Sequence, residues 1–313
     1  MAPMGSPQRK PDWLRVRLAG GERHAHLQAM FRRLDLKTVC EEARCPNVGE
    51  CWRAGTATLM ILGDTCTRGC RFCAVKTGDP GGVVDPREPQ NVGRALGEMD
   101  LAYVVLTMVD RDDLTDGGAA HVAQTVQRIR HHSPDMLVEV LVGDFAGSRR
   151  DVTTVVQDGR PDVFAHNVEV VPRLQRAMRD ARCSWERSVD VLRSAADAGA
   201  NVLKSSLMVG CGETEAEVHE AMAELREVGV DVLTIGQYLR PTPKHAPMTG
   251  YVHPTVFEAY RKVGEQLGFA YVASGPLVRS SYRAAEAFMT GILEGHAAPY
   301  SDRYGKRSLE IVT

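Results

Sequence analysis

The chain has 313 residues, enough for one large catalytic domain with extensions or for two small domains. A hydrophobic fraction of 43% and a charged fraction of 25% exclude a disordered or fibrous chain, and a formal net charge of -2 gives no global pull toward nucleic acid or acidic membranes. No stretch has the apolar length of a secretory signal or a membrane span, so the expected compartment is the cytosol and no nucleic-acid or membrane partner is expected.

Residues 1–12 are rich in Pro, Gly, Ser and basic side chains and read as a tail. From 13 to 36 the sequence is basic and weakly amphipathic, with Leu27, Met30, Phe31 and Leu34 at helical spacing. The run TVCEEARCPNVGECWRAG follows, with the Gly, Pro and Asn of a ligand-bearing loop. TATLMIL after it is a short apolar run that predicts a buried strand. From there strands and helices alternate. Strand-like runs are TLMIL, AYVVLTMV, MLVEVLVG, VFAHNVEV, NVLKSSLMVG and DVLTIGQYL; helix-like stretches are 91–99, 119–132, 148–157, 172–181 running on to 185–198, 213–228 and 254–267. Parallel strands need crossovers of about a dozen residues, so six βα units in series predict a parallel sheet curled into a partial (β/α)6 barrel or left open. A last apolar run, FAYVASGPLV, leads into RSSYRAAEAFMTGIL. The expected division is an N-terminal extension over 1–55, a barrel over 56–275 and a C-terminal extension over 276–313.

Six of the eight cysteines fall between Cys40 and Cys73, where an even scatter would put about one. Cys40, Cys45 and Cys51 are spaced C-x4-C-x5-C, and Cys66, Cys70 and Cys73 are spaced C-x3-C-x2-C. Cytosolic thiols stay reduced, which favours a cofactor over disulfides. The second triplet follows a predicted strand and therefore sits at its C-terminal end, the face on which βα barrels build active sites. Zinc sites usually show two C-x2-C pairs or cysteine with histidine; this triplet has one such pair and no adjacent histidine. Three thiolates on one short loop can instead hold an iron–sulfur cube and leave one iron open, with Gly69 allowing a tight turn.

With Phe72 before its last cysteine, this triplet resembles the signature of the radical S-adenosylmethionine superfamily. The upstream triplet, together with Arg279-Ser280-Ser281-Tyr282, is similar to the lipoyl synthase family. LTMVDRDDLTDGGA, HNVE, MVGCGE and GQYLRPT resemble further segments of that family, while Val170, Ser206 and Cys211 depart from its pattern. The resemblance implies a partial (β/α)6 barrel, two [4Fe-4S] clusters and S-adenosylmethionine. Cys66, Cys70 and Cys73 would hold the cluster that cleaves S-adenosylmethionine to a 5'-deoxyadenosyl radical. Cys40, Cys45 and Cys51, with Ser281 favoured over Ser280, would hold an auxiliary cluster whose sulfur is inserted at C6 and C8 of a protein-bound octanoyl-lysine. Those carbons carry no acidic proton and no leaving group, which leaves acid-base or nucleophilic catalysis nothing to act on.

By similarity, the S-adenosylmethionine pocket would draw on Asn167, Glu169, Lys204, Gly210 and Gly212. The implied partners are octanoylated lipoyl-carrier proteins (2-oxoacid dehydrogenase E2 lipoyl domains and the glycine cleavage H protein), an electron donor such as ferredoxin or flavodoxin, and an iron–sulfur carrier that rebuilds the auxiliary cluster. Arg279 and the basic stretch with Arg15 and Arg17 are candidates for docking an acidic carrier. The run Asp110-Arg111-Asp112-Asp113 reads mostly as a solvated loop. His166 fits a ligand site or a hydrogen-bonded structural histidine, and Cys183 and Cys211 read as small buried side chains. The rival readings are another radical sulfur inserter, such as a methylthiotransferase or biotin synthase, and a non-catalytic metal-binding scaffold.

Overall fold

A computed structural model of the protein describes residues 9–14, 37–38, 56–99, 101 and 103–281. The helix expected over 13–36, the basic pair Arg15 and Arg17, the three cysteines Cys40, Cys45 and Cys51, and Tyr282 lie outside these described residues, apart from Trp13 and Leu14 at the start of that helix.

Among the described residues the main sheet runs β1 (Lys37–Thr38), β2 (Thr56–Ile61), β5 (Tyr103–Met108), β6 (Leu137–Leu141), β7 (Val163–Ala165), β8 (Leu203–Val209), β9 (Val232–Gln237) and β10 (Tyr271–Gly275). The seven strands from β2 onward pair in parallel and in chain order, and β1 is an antiparallel strand on the outer edge of β2. β10, from the FAYVASGPLV run, thus adds a seventh parallel strand to the six expected.

The helices between the strands are α1 (Glu88–Gly97), α2 (Ala119–His132), α3 (Arg149–Thr153), α4 (Gln175–Met178), α5 (Trp185–Asp197), α6 (Glu215–Glu227) and α7 (Pro254–Leu267). Two of them differ from the sequence expectation in ways that matter. The helix expected over 148–157 changes after Thr153 to a π-helical stretch, 154–159, that ends on Arg160 in the left-handed region. The helix expected to run from 172 to 198 breaks: Arg179 turns extended, and Ser184 starts α5 by accepting a hydrogen bond from Arg187 N–H at 3.1 Å. The chain between them bends toward the cysteine loop.

Register explains how an almost uninterrupted run of apolar strands builds a barrel. Successive side chains of a strand point to opposite faces, and the pairings Leu106↔Val140, Val140↔Phe164 and Phe164↔Leu203 carry one apolar set around the sheet. These residues pack under the helices in one core, and Val209, Leu233, Ile235 and Phe257 belong to a second. The other set faces inward and is more polar: Thr58, Tyr103, Val105, Glu139, Lys204, Ser206 and Thr234 share this parity. An inward-facing ion pair is buried there. Lys204 Nζ donates to both carboxylate oxygens of Glu139 at 2.8 Å, and Tyr103 Oη donates to Glu139 at 2.7 Å.

Candidate active site

β2 ends at Ile61, and left-handed Leu62 and Gly63 turn the chain into the cysteine loop. Its base is a small ribbon of β3 (Thr65–Cys66) and β4 (Lys76–Thr77), latched by Gly78 N–H donating to the Cys66 carbonyl at 2.9 Å. Cys66, Cys70 and Cys73 all border one cavity of about 230 Å³ at the C-terminal end of the sheet. The five described cysteines are free thiols. Among the described residues, no three Cys, His, Asp or Glu side chains converge as tightly as a single metal ion needs. Three thiols on one short loop suit an iron–sulfur cluster, whereas a closed structural zinc site takes four ligands.

Without iron the three thiols hold their protons. Burial and then the Asp110 carboxylate push Cys66 up to about 11; a hydrogen bond with Cys183 and then burial push Cys70 up, and burial raises Cys73. Iron binding must therefore expel protons, and loading should be favoured at higher pH.

The charge run after β5 is a brace for this loop rather than a solvated stretch, which corrects the sequence reading. Arg68, inside the cysteine motif, is 3% exposed. Its guanidinium donates to Asp112 at 2.7 Å and Asp144 at 2.6 Å, and lies 3.6 Å from Asp110. Burial works hardest to raise the Asp144 carboxyl, but the hydrogen bond from Arg68 together with the charges of Arg68 and Arg187 outweighs it and holds the group below the ordinary carboxylate range. Asp110 is the opposite case: burial dominates and raises it. Thr67 donates to Asp112 at 2.7 Å. Arg111, 2% exposed, reaches the Leu62 carbonyl at 3.0 Å and the Val83 carbonyl at 2.9 Å. A run of four charges is ambiguous in one dimension because it does not show which partners arrive from elsewhere.

The helix break at 179–184 supplies the other wall. Arg71 N–H donates to Met178 O at 2.8 Å, Gly69 N–H to Asp180 Oδ2 at 2.8 Å, and Asp180 N–H to Cys70 Sγ at 3.4 Å. From the far side, His245 Nε2 donates to the Cys73 carbonyl at 3.0 Å.

β7 is three residues long, shorter than the apolar run VFAHNVEV predicts, and the freed residues line the cavity. Glu169 has a left-handed backbone (φ +69), an outlier of the kind that persists where surrounding structure holds it. Asn167 Nδ2 donates to its carboxylate at 3.1 Å, and burial raises that carboxyl above the ordinary range. His166 donates from Nδ1 to the Val142 carbonyl at 2.9 Å, and burial pushes its pKa down to about 4. The ring is therefore neutral at pH 7, with Nε2 a free acceptor. That buried Nε2 has no hydrogen-bond partner, nor has the buried Nε of Arg179; both residues line the cavity. Unsatisfied buried polar atoms are rare enough to need a reason, and a missing ligand is one.

Three other expected contacts fall elsewhere. Lys204 is not on the cavity: it is the second residue of β8, and Glu139 takes it up in the barrel interior toward the opposite end of the strands. Gly210 and Gly212 form the turn after β8, with φ of +90 and +108, and the Glu213 carboxylate accepts Gly210 N–H at 2.5 Å. A Cβ on Gly210 would come within 2.7 Å of the Gly250 carbonyl, so that glycine is required by packing against the 250 loop.

Arg279, Ser280 and Ser281 follow β10 at the same end of the sheet as the cysteine loop. Arg279 Nη1 donates to the Gln237 carbonyl at 3.3 Å, and Val278 O lies only 2.1 Å from where a Cβ on Gly236 would stand. The turn thus rests directly on the end of β9. Among the described residues, no helix is long and apolar enough to cross a membrane.

The family described as "Radical SAM superfamily" matches residues 60–225, and the one described as the N-terminal domain of lipoyl synthase matches residues 2–45. Among solved structures, a methylornithine synthase superposes with a TM-score of 0.51 at 14% identity, covering 80% of this chain and 82% of that one. Streptococcus suis SuiB bound to its precursor peptide SuiA gives 0.55 at 8% identity, over 73% of this chain and 52% of that one. These two likenesses speak for the fold alone. A Sorangium cellulosum protein named lipoyl synthase is 58% identical over 93% of this chain and 83% of its own length. Its Myxococcus xanthus counterpart is 51% identical over 93% and 97%, and the chloroplastic lipoyl synthase of Arabidopsis thaliana is 52% identical over 90% and 73%. At this identity and coverage, the chain belongs to the lipoyl synthase family of radical S-adenosylmethionine proteins.

Proposed function

We propose that the protein inserts two sulfur atoms, at C6 and C8, into an octanoyl chain carried on the lysine of a lipoyl-carrier domain. The observation that carries the reading is that three thiols of one loop border the same cavity as two unpaired buried polar atoms and the strained Glu169. This donor set fits the cofactors of the family: soft thiolates at Cys66, Cys70 and Cys73 for a [4Fe-4S] cluster, and a polar opposite wall for S-adenosylmethionine. When bound, those cofactors supply the one-electron chemistry that removes hydrogen from an unactivated carbon.

The chain's own residues bind, orient and shield. Asn167 and Glu169 present a donor and an acceptor to the cofactor's polar groups; neutral His166 offers Nε2 as an acceptor, and Arg179 offers Nε–H as a donor suited to a carboxylate. His166 and Arg179 replace Lys204 in the set expected from sequence. Met60, Met108 and Leu141 give the cavity apolar wall that keeps water from a reactive intermediate. Cys40, Cys45 and Cys51 would hold the auxiliary, sulfur-giving cluster with Ser281 as fourth ligand. Serine oxygen is a hard donor on soft iron, which suits a cluster that is opened and spent.

The partners in this reading are the E2 lipoyl domains and the glycine cleavage H protein as carriers, ferredoxin or flavodoxin as electron donor, and an iron–sulfur carrier for rebuilding. A reducing compartment such as the cytosol keeps the thiols available. The test is mass analysis of an octanoyl-lysine peptide incubated anaerobically with reconstituted protein, S-adenosylmethionine and a reductant. A gain of two sulfurs is expected. Cys40→Ala should retain S-adenosylmethionine cleavage and lose sulfur insertion, whereas Cys66→Ala should lose both. Lipoyl product from the Cys40 variant would sink the role given to the auxiliary cluster.

A further inference from the structure

The wall that clamps the cysteine loop from outside carries unanswered positive charge. The chain as a whole has a formal net charge of -2, yet 65–78 holds Arg68, Arg71 and Lys76 with no acid, and 232–257 holds Arg240 and Lys244 with no acid. Hydrogen bonds join these stretches. Arg71 N–H donates to Met178 O at 2.8 Å, Arg71 O accepts Ala246 N–H at 2.8 Å, and His245 ties the same 239–249 loop to the Cys73 carbonyl. Arg71, Arg176, Arg240 and Lys244 thus belong to one continuous surface, and all four are exposed.

Nearby arginines are treated differently. Arg173 and Arg182, on the same stretch as Arg176, are answered by Glu217 at 2.6 Å and Asp180 at 2.8 Å. Among the described residues none of the four has such an acidic partner: Arg71 donates to the Ala177 carbonyl at 3.1 Å, and Arg240 to the carbonyls of Pro243 and His245. Like charges gathered on one face repel one another, and an acidic partner relieves that repulsion. None of the four lines the cavity, which separates two kinds of partner. An octanoyl carrier must pass its acyl-lysine into the cavity, whereas an electron can cross a short stretch of packed protein. Arg71 directly follows Cys70, and Lys244 precedes the His245 that holds the Cys73 carbonyl.

Resting on the proposed function, we infer that Arg71, Arg176, Arg240 and Lys244 form the docking surface for the electron donor: a one-electron carrier protein with an acidic face binds over the outside of the cysteine loop. One electron leaves the docked donor for the cluster by way of the loop at Cys70 and Cys73, and no bond forms or breaks. Complementary charge of this kind speeds encounter and fades as salt rises.

The test uses the reconstituted full chain, an acidic flavodoxin as donor and dithionite as a small reductant. Arg176→Glu with Lys244→Glu reverses two exposed charges and leaves the loop-bracing contacts of Arg71 and Arg240 in place. At low ionic strength its Kd for flavodoxin, read by calorimetry, should rise about tenfold. Flavodoxin-driven cleavage of S-adenosylmethionine at sub-saturating donor should slow by a similar factor, and dithionite-driven cleavage should match the parent. Both gaps should close near about 0.5 M salt. The neutral pair Arg176→Gln with Lys244→Met should show a smaller loss, about threefold. Flavodoxin affinity equal to the parent's at low salt overturns the inference, and so does a loss that salt leaves untouched. Equal slowing with both reductants overturns it by marking a structural role. A raised KM for an octanoylated lipoyl domain, with flavodoxin affinity unchanged, overturns it by giving the surface to the carrier. A parent that cleaves no S-adenosylmethionine with dithionite overturns the proposed function instead, and the calorimetry still decides the docking surface.

Discussion

Both ends of the barrel bury charge, but they do so differently. In the interior toward the N-terminal ends of the strands, Lys204, Glu139 and Tyr103 satisfy one another. At the C-terminal end, Arg68 gives its Nε and Nη2 hydrogens to Asp112 and Asp144, yet Asp144 Oδ2, His166 Nε2 and Arg179 Nε are buried, without a hydrogen-bond partner, on residues that line the cavity with the three thiols. Burying a polar group without a partner costs free energy, so a fold keeps such groups only where something else is served. A closed charge cluster braces the scaffold, whereas an open one marks where a ligand completes it. Burial alone does not separate the two; unmet hydrogen bonds on residues that line the cavity do.

The comparison breaks first at Arg68. Arg68→Met removes the ion-pair partner of Asp110 and leaves Asp112 with Arg182 at 3.1 Å and Asp144 with Arg187 at 3.8 Å, and should cost about 3–5 kcal/mol of stability together with most of the iron bound after reconstitution. Denaturant unfolding and iron analysis read the two losses. Lys204→Met at the other end should cost a similar amount, about 3–5 kcal/mol, because Glu139 is left buried without a counter-charge, with only the Tyr103 hydroxyl donating to it. Iron content and S-adenosylmethionine cleavage per folded molecule should stay unchanged. A raised KM for S-adenosylmethionine in that variant would restore Lys204 to the cofactor site and erase the distinction between the two ends.

A smaller effect follows from His166, whose folded pKa of about 4 lies below the ordinary value of 6.5. Between those values the unfolded chain binds more protons, so stability rises with pH there. As pH falls from about 6.5 to about 4 the fold should lose up to about 3 kcal/mol through this group. His166→Gln should flatten that part of the stability profile, measured by denaturant titration at each pH. A profile as steep as the parent's would mean that another group carries the dependence.

The smallest effect is at Gly236. The Cβ of Gly236→Ala would stand 2.1 Å from Val278 O, an overpacking that costs about 1–3 kcal/mol and lifts the turn before Arg279. Sulfur insertion should fall while S-adenosylmethionine cleavage persists. Equal loss of both would show that the turn supports the cysteine loop as well as the C-terminal motif.

Local signals were legible in one dimension. C-x3-C-x2-C spacing names a cluster loop because chain length alone keeps those sulfurs within reach of one another. The helices over 119–132 and 254–267 match α2 and α7 because each has an apolar stripe at helical spacing and a clear stop: His132 before Ser133 and Pro134, and Leu267 before left-handed Gly268. Crossover lengths predicted the parallel sheet for an equally local reason.

What the tertiary structure decided lies between residues far apart in the chain. Nothing near Lys204 in sequence points to Glu139, sixty-five residues away, and nothing near Arg68 points to Asp112 or Asp144. The break at Arg179 was hidden because 172–198 has helical composition throughout; it is packing against Cys70 and Arg71 that uses the bend. Sequence by itself determined which chemistry the chain carries, since ligand type and spacing are properties of a short loop. Only the fold decided which buried charges are closed structural pairs and which still face the cavity, because a hydrogen bond is satisfied by whatever the three-dimensional path brings within about 3 Å.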